Sequence, residues 1–304
     1  MKKNVLITGG TGFVGRHLTN LLVANGFSVS VLSRSKRVNT ANVFYYKWDV
    51  EKQFIEEEAI QRADFVIHLA GANIGEKRWT KKRKAEILSS REQAAQLIYN
   101  SLLKWNKNLE AFVSASAVGI YGAINGRAIC NENMQPANDF LGLTCQKWEA
   151  AANQFEKLGI RTVKIRTGLV LGKEDGFLKK LVPIFKLRLG SALGTGKQYM
   201  PWIHVDDLCQ IYLEVIKNSM FSGAYNAAIT DDTTNESFSK ILAKVYGYKI
   251  WLPNVPAMLI KIALGEMSKL VLTGRRVSNE KIKQLGFQFQ HEDLETAIKE
   301  CLLK

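Results

Sequence analysis

Three glycines spaced three apart, Gly9, Gly12 and Gly15, follow the apolar run Asn4-Val5-Leu6-Ile7-Thr8 and lead into a helical pattern. That arrangement suits a pyrophosphate. Gly9 lets the chain turn tightly, Gly12 lets backbone approach the phosphate, and Gly15 lets the helix pack closely. Thr11, Phe13 and Val14 complete a loop that holds the anion at the positive end of the helix. The next apolar run ends in Val31-Leu32-Ser33-Arg34, where an NAD-selective site would present a carboxylate to the ribose hydroxyls. Ser33 offers a hydrogen bond instead, and Arg34, helped by Arg37, offers positive charge. This is the chemistry of a 2′-phosphate, so the expected cofactor is NADP(H).

The elements that must carry this loop are readable from periodicity. Short apolar runs at Asn4–Thr8, Ser28–Leu32, Val43–Trp48, Phe65–Leu69, Ala111–Ser114 and Thr162–Arg166 read as strands. Helical patterns lie between them near Gly15–Asn25, Glu56–Arg62, Lys81–Trp105 and Gln146–Leu158. Such alternation predicts an α/β fold, a doubly wound parallel sheet of the Rossmann type. The dinucleotide-binding domain is expected over residues 1–172, with the chain returning to it at about 202–228. Residues 173–201 and 229–304 then form a smaller, mainly helical substrate lobe, with helices near Asp206–Asn218 (within the returning segment), Ser237–Val245 and Pro256–Leu272.

Composition narrows the class. In 304 residues, 46% hydrophobic and 23% charged side chains describe a globular protein and exclude a disordered chain. Cys130, Cys145, Cys209 and Cys301 lack the paired spacing of a zinc site, so no metal is expected. Scattered cysteines, and an opening without the long apolar stretch of a secretory signal, point to the cytoplasm. The apolar stretch Ala257–Leu272 is interrupted by Lys261, Glu266 and Lys269, so no membrane span is expected. A formal net charge of +14 attracts anions of any kind. Its densest run, Lys77 to Lys84, reads first as a solvated helix face, and no nucleic-acid motif accompanies it. Nucleic acid is therefore not an expected partner; a small-molecule substrate is. Arg78, Lys84 and Arg91 offer a clamp for a phosphate or carboxylate, because Lys84 and Arg91 lie seven apart on one helical face.

Ile7-Thr8-Gly9-Gly10-Thr11-Gly12-Phe13-Val14-Gly15 resembles the opening of the extended short-chain dehydrogenase/reductases. Trp48-Asp49-Val50 is similar to their adenine-contacting element, and His68-Leu69-Ala70-Gly71 to the one backing the cofactor ribose. Arg166-Thr167-Gly168-Leu169-Val170-Leu171-Gly172 and Trp202-Ile203-His204-Val205-Asp206-Asp207 resemble later motifs. Gly71-Ala72-Asn73-Ile74, Arg78-Trp79 and the run Ser114 to Gly122 are closer still to the atypical epimerase-family, or sugar-nucleotide-epimerase-like, subgroup. Its extra C-terminal domain is matched from about residue 252, through Arg275-Arg276-Val277 and Leu285-Gly286-Phe287-Gln288-Phe289. The resemblance implies cofactor contacts at Asp49, Val50, Leu69, Ala70, Gly71, Ser114 and Thr167, and a substrate contact at Trp202.

It also exposes a gap. Redox members use a tyrosine as acid/base and a lysine four residues on, yet the matching positions here hold Leu141 and Cys145. Ser116 matches the hydroxyl that binds a substrate oxygen, and Tyr121 and His204 are the remaining candidates to move a proton. The implied activity is an NADP(H)-dependent oxidoreductase or isomerase acting on a small substrate, anionic or nucleotide-sugar-like. The alternative is a non-catalytic NADP(H)-binding redox sensor or regulator.

Overall fold

The computed structural model describes residues 2–35, 37–173 and 176–303. The first part runs β1 (Asn4–Thr8), α1 (Phe13–Ala24), β2 (Ser28–Ser33), β3 (Val43–Asp49), β4 (Phe54–Ile55), α2 (Glu57–Gln61), β5 (Phe65–His68), α3 (Lys81–Lys104), β6 (Ala111–Ala117), β7 (Gly126–Cys130), α4 (Phe140–Asn153) and β8 (Arg161–Thr167). It continues as β9 (Leu169–Leu171), α5 (Gly176–Lys186), β10 (Trp202–His204), α6 (Val205–Lys217), β11 (Gly223–Ala227) and α7 (Asn235–Val245). The last elements are α8 (Ala257–Leu264), α9 (Lys269–Leu272), β12 (Arg275–Val277), α10 (Glu280–Gln284) and α11 (Leu294–Leu303).

The strands of the main sheet stand in the order β11-β8-β6-β5-β1-β2-β3-β4, parallel throughout except for the short β4 at the edge. This is the doubly wound α/β sheet expected from the alternation. Both faces are covered, which is why β1 buries all five of its residues and reads as a continuous apolar run. Val5, Ile7, Val29 and Val31 face Leu18 and Leu22 of α1 and Ile211 and Val215 of α6. Leu6, Leu32 and Val66 face the other way, onto Ile98 and Leu102 of α3 and Ala152 and Phe155 beyond and within α4's end. The strand order reverses between β1 and β5, and a crevice beyond the carboxyl ends of such strands is where this class of sheet binds ligands.

Two expected helices differ from the structure. The one placed at Gln146–Leu158 begins six residues earlier, at Phe140, because Asp139 caps the amide of Gly142 at 2.9 Å; its last turn is a 3-10 turn over Gln154–Leu158. Helix Pro256–Leu272 is broken at Gly265, whose φ of +60° is left-handed and ends α8. Two pairings were invisible in the sequence: β9 with β10, and β7 with β12 across about half of the chain. Among the described residues no helix is long and apolar enough to cross a membrane.

Candidate functional site

The glycine loop leaves β1 and enters α1 with almost no space beside it. Gly9 has φ +71°, and a Cβ there would touch the backbone of Leu69 and Ala70 at 3.0 Å. At Gly15 a Cβ would sit 2.4 Å from the Gly9 carbonyl oxygen and 2.5 Å from Gly10 Cα. Gly12 is the N-cap of α1 and gives it no side-chain hydrogen bond, and no acidic residue stands in the first turn. The helix therefore presents free amides and an uncontested positive end, which fits a dinucleotide pyrophosphate.

Thr8 organises the neighbouring strand end. Its Oγ1 accepts from the amides of Leu69 and Ala70 at 3.1 and 3.0 Å, so its own proton points to His68 Nδ1 at 2.8 Å. His68 thus carries its proton on Nε2, and complete burial lowers its pKa to about 4. A neutral ring holds Leu69-Ala70-Gly71 against the glycine loop. Behind that segment lies Arg91, whose Nη1 donates to the carbonyls of Ala72 and Ile87 while its guanidinium rests on the Trp148 ring, 4.5 Å from the centroid. Burial brings its pKa down to about 10, so it stays cationic at neutral pH. At the end of β2, Arg34 and Arg37 are exposed, whereas Ser33 is buried and its hydroxyl donates to the Ser35 carbonyl at 2.8 Å. Asp49 and Val50 are half-buried at the end of β3.

On the same carboxyl edge of the sheet a cavity of about 300 Å³ opens, lined by Ala117 at the end of β6, Thr167 and Gly168 after β8, and Leu141 and Cys145 of α4. Phe177, Tyr199, Met200, Leu270, Val271 and Arg275 also line it. A larger cleft of about 790 Å³ lies at the β3–β4 edge, but Glu56, Glu57 and Glu58 line it and would repel a phosphate-bearing cofactor.

The residues expected to move protons are not on the cavity wall. Ser116 donates to Glu149 Oε1 at 2.7 Å, and that carboxylate takes a two-pronged bond from Arg166, Nε to Oε1 at 2.8 Å and Nη2 to Oε2 at 2.9 Å. Arg166 Nη1 also donates to Tyr121 Oη at 3.2 Å, and Tyr121 donates to Asn226 Oδ1 at 2.7 Å. Burial raises the Tyr121 pKa to about 12. Burial alone would lower the Arg166 pKa, but Glu149 outweighs it and holds the guanidinium charged. Ser116 and Tyr121 therefore join a buried brace linking β6, α4, β8 and β11. His204 caps α6, its Nδ1 accepting the Asp206 amide at 3.3 Å, and its ring stacks on His291 at 3.9 Å; burial and that neighbour lower its pKa.

The expected anion clamp is not assembled either. Lys84 is ion-paired with Glu266, Arg78 donates to the Ile262 carbonyl at 3.0 Å, and Arg91 points inward under Gly71. Trp202 is fully buried with its indole N–H on Asp231 at 2.8 Å, so it supports the lobe from within. Ser114 is likewise turned to its own strand, donating to the Ala115 carbonyl at 2.9 Å, while Thr167 does reach the cavity. The brace residues Glu149, Arg166 and Asn226 carried no local signal: each is polar in a segment whose partners lie far along the chain.

Cys145, matched by the sequence resemblance to the lysine of redox members, lines the cavity, and burial, with Glu149 nearby, raises its pKa to about 12. It is a neutral thiol. All four cysteines are buried and free. We expect a soluble thiol-labelling reagent at neutral pH to modify none of them in the folded protein and all four in denaturant. Rapid labelling of Cys145 in the native state would contradict its assigned protonation and burial.

Fold and cradle together define a dinucleotide-binding α/β protein. Residues 5–228 match the NAD dependent epimerase/dehydratase family, and residues 255–301 match a domain of unknown function, DUF1731. The chain belongs to that epimerase/dehydratase family, in the atypical branch that carries the extra C-terminal domain. It is similar to the epimerase family protein YfhF of Bacillus subtilis (strain 168), 37% identical over 300 residues and 98% of each chain. The epimerase family protein SAR0825 of Staphylococcus aureus (strain MRSA252) is 34% identical over 305 residues, covering 99% of this chain and 100% of that one. Among solved structures, the human epimerase family protein SDR39U1 (isoform2) with NADPH superposes with a TM-score of 0.87 at 28% identity, over 99% of both chains.

Proposed function

We propose that this protein is an NADP(H)-dependent oxidoreductase or isomerase acting on a small anionic substrate in a reducing, cytoplasmic setting. The observation that carries the reading is the shared carboxyl edge: the glycine cradle at the end of β1 and the 300 Å³ cavity at the ends of β6 and β8 open on the same side of the parallel sheet. Gly9, Gly12 and Gly15 with the α1 amides would hold the pyrophosphate, and Leu69-Ala70-Gly71 would back the ribose. The nicotinamide supplies a hydride donor or acceptor when bound.

The preference for the phosphorylated cofactor rests on Arg34 and Arg37, exposed after β2 in a stretch, Ser33 to Arg37, whose sequence holds no carboxylate. A structural relative solved with NADPH supports it. Arg34→Ala is expected to weaken NADPH binding about tenfold, the magnitude of one charge-assisted contact, while leaving NADH unchanged. Equal losses for both cofactors in a fluorescence titration would remove the selectivity argument. The chemistry is tested by screening metabolites for a change in nicotinamide absorbance or for isomer conversion.

A second reading follows from one specific observation. Leu141 and Cys145 stand where the family's acid/base pair would be, and Ser116 and Tyr121 are committed to the brace. A non-catalytic NADP(H) sensor needs no proton relay. Partner capture that depends on NADPH, with no turnover of any screened metabolite, would favour it.

A further inference from the structure

Arg275 is a cation without an anion. It stands in β12 and is one of the residues that line the cavity. Its Nη1 contacts only the sulfurs of Cys130 and Met134, at 3.8 and 4.0 Å, both weak acceptors. Its Nε is buried without a hydrogen-bond partner, and no carboxylate pairs with it among the described residues.

Other partly buried arginines show what a structural arginine looks like here. Arg83 has Glu76, Glu86 and the Asn73 carbonyl; Arg91 has two carbonyls and an aromatic face; Arg166 has Glu149. Arg276, the next residue on β12, packs over the Tyr199 ring and finds Asp232 at 2.8 Å. A buried Nε without a hydrogen bond occurs at Arg83, Arg91 and Arg276 too, but of these arginines Arg275 alone has neither a carboxylate nor a carbonyl on its guanidinium. An unpaired guanidinium in low-dielectric surroundings is costly, and a ligand that brings the missing charge repays that cost.

Its mount is rigid. Gly274, immediately before it, packs so closely that a Cβ would sit 1.8 Å from the Tyr199 carbonyl oxygen, and its amide donates to Asn125 Oδ1 at 3.1 Å. The cavity lining is mostly apolar, with Thr167, Gln198, Tyr199 and Asn235 among its uncharged polar members. The other cation on the lining, Lys269, belongs to the exposed rim. One fixed guanidinium offers a two-pronged match to one carboxylate, whereas a pyrophosphate would require several cations. A chamber of about 300 Å³ is at the lower end of the range for small-molecule pockets.

We infer that Arg275 is the substrate-anchoring residue, and that the ligand it selects is a small monocarboxylate with an apolar body. The assignment rests on the reading of the cavity as the substrate chamber, and it replaces the clamp of Arg78, Lys84 and Arg91 with a single internal charge.

The test uses the full chain with hexanoate and phenylpropanoate as probes, each set against its uncharged amide, with and without saturating NADPH. Calorimetric titration and melting shifts are read. Carboxylates should bind at least ~tenfold more tightly than the matched amides, a charge-assisted preference. Arg275→Gln should erase that preference, Arg275→Lys should keep part of it, and Arg276→Gln should leave it intact, with NADPH affinity unchanged in the Arg275 variants. Amides binding as well as carboxylates to the wild-type protein would overturn the assignment without any variant. So would a preference that survives in Arg275→Gln, or no binding by either carboxylate. Loss of NADPH binding by the wild-type chain, with the carboxylate preference intact, would instead overturn the cofactor reading and leave Arg275 standing.

Discussion

Gly15→Ala should abolish useful cofactor binding while leaving most of the fold in place. Two effects oppose each other. Alanine is the better helix former by about 1 kcal/mol, which favours α1. The new Cβ, however, would meet backbone atoms, 2.4 Å from Gly9 oxygen and 2.5 Å from Gly10 Cα, and backbone cannot rotate away as a side chain can. Overpacking of this kind costs about 1–3 kcal/mol, so the loop moves and the amides that cradle the pyrophosphate move with it. We expect NADPH affinity to fall by about 100-fold or more, equivalent to about 2.8 kcal/mol, with a smaller drop in melting temperature. Gly26→Ala is the control: φ is +84° but nothing lies within 4 Å, so it should cost backbone strain and spare binding. Wild-type NADPH affinity in Gly15→Ala would show that the cradle lies elsewhere.

Arg166→Met should have the largest effect on stability. It leaves the Glu149 carboxylate buried without its counter-ion and takes a donor from Tyr121. The side chains of the pair are only 8% and 12% exposed, so water screens the loss poorly. Removing one partner of such a pair costs about 3–5 kcal/mol, whereas replacing both with apolar groups costs less. Urea unfolding of Arg166→Met, Glu149→Leu and the double variant therefore forms a diagnostic cycle. The double variant should be more stable than Arg166→Met alone. If Arg166→Met lost under about 1 kcal/mol, the pair would be no more than a surface-type contact.

What the sequence disclosed was local. The glycine loop, the inner strands and α3 are written in residues within a few positions of one another, and all appear where the periodicity puts them. The start of α4 was also local, since Asp139 is a capping residue, but Gly142 in the first turn disguises it as a loop. Gly142 is required there because a Cβ would lie 2.0 Å from the Ala137 carbonyl oxygen. Lys84 and Arg91 show a different limit. Seven residues do place them on one helical face, yet a face is not a depth. The first turn of α3 passes the exposed Glu266, and its middle runs beneath Gly71. The brace and Arg275 were hidden for a third reason: their partners lie tens to more than a hundred residues away. Nothing near Arg275 in the sequence distinguishes it from Arg276; only the position of Asp232 does.

The pairing of β7 with β12 governs the order in which the protein is made. Gly126 must wait for Arg275, so this wall of the chamber closes only after β12 has been synthesised. The parallel sheet, by contrast, has its last strand at Gly223–Ala227, well before that point. A growing chain can complete its sheet, and with it the glycine loop, while the chamber is still open to solvent. Long-range pairings of this kind form slowly because their loop-closure entropy is lost before any contact compensates it. Assembly therefore gives the molecule a direction in time, with the nucleotide cradle formed first and the chamber sealed last.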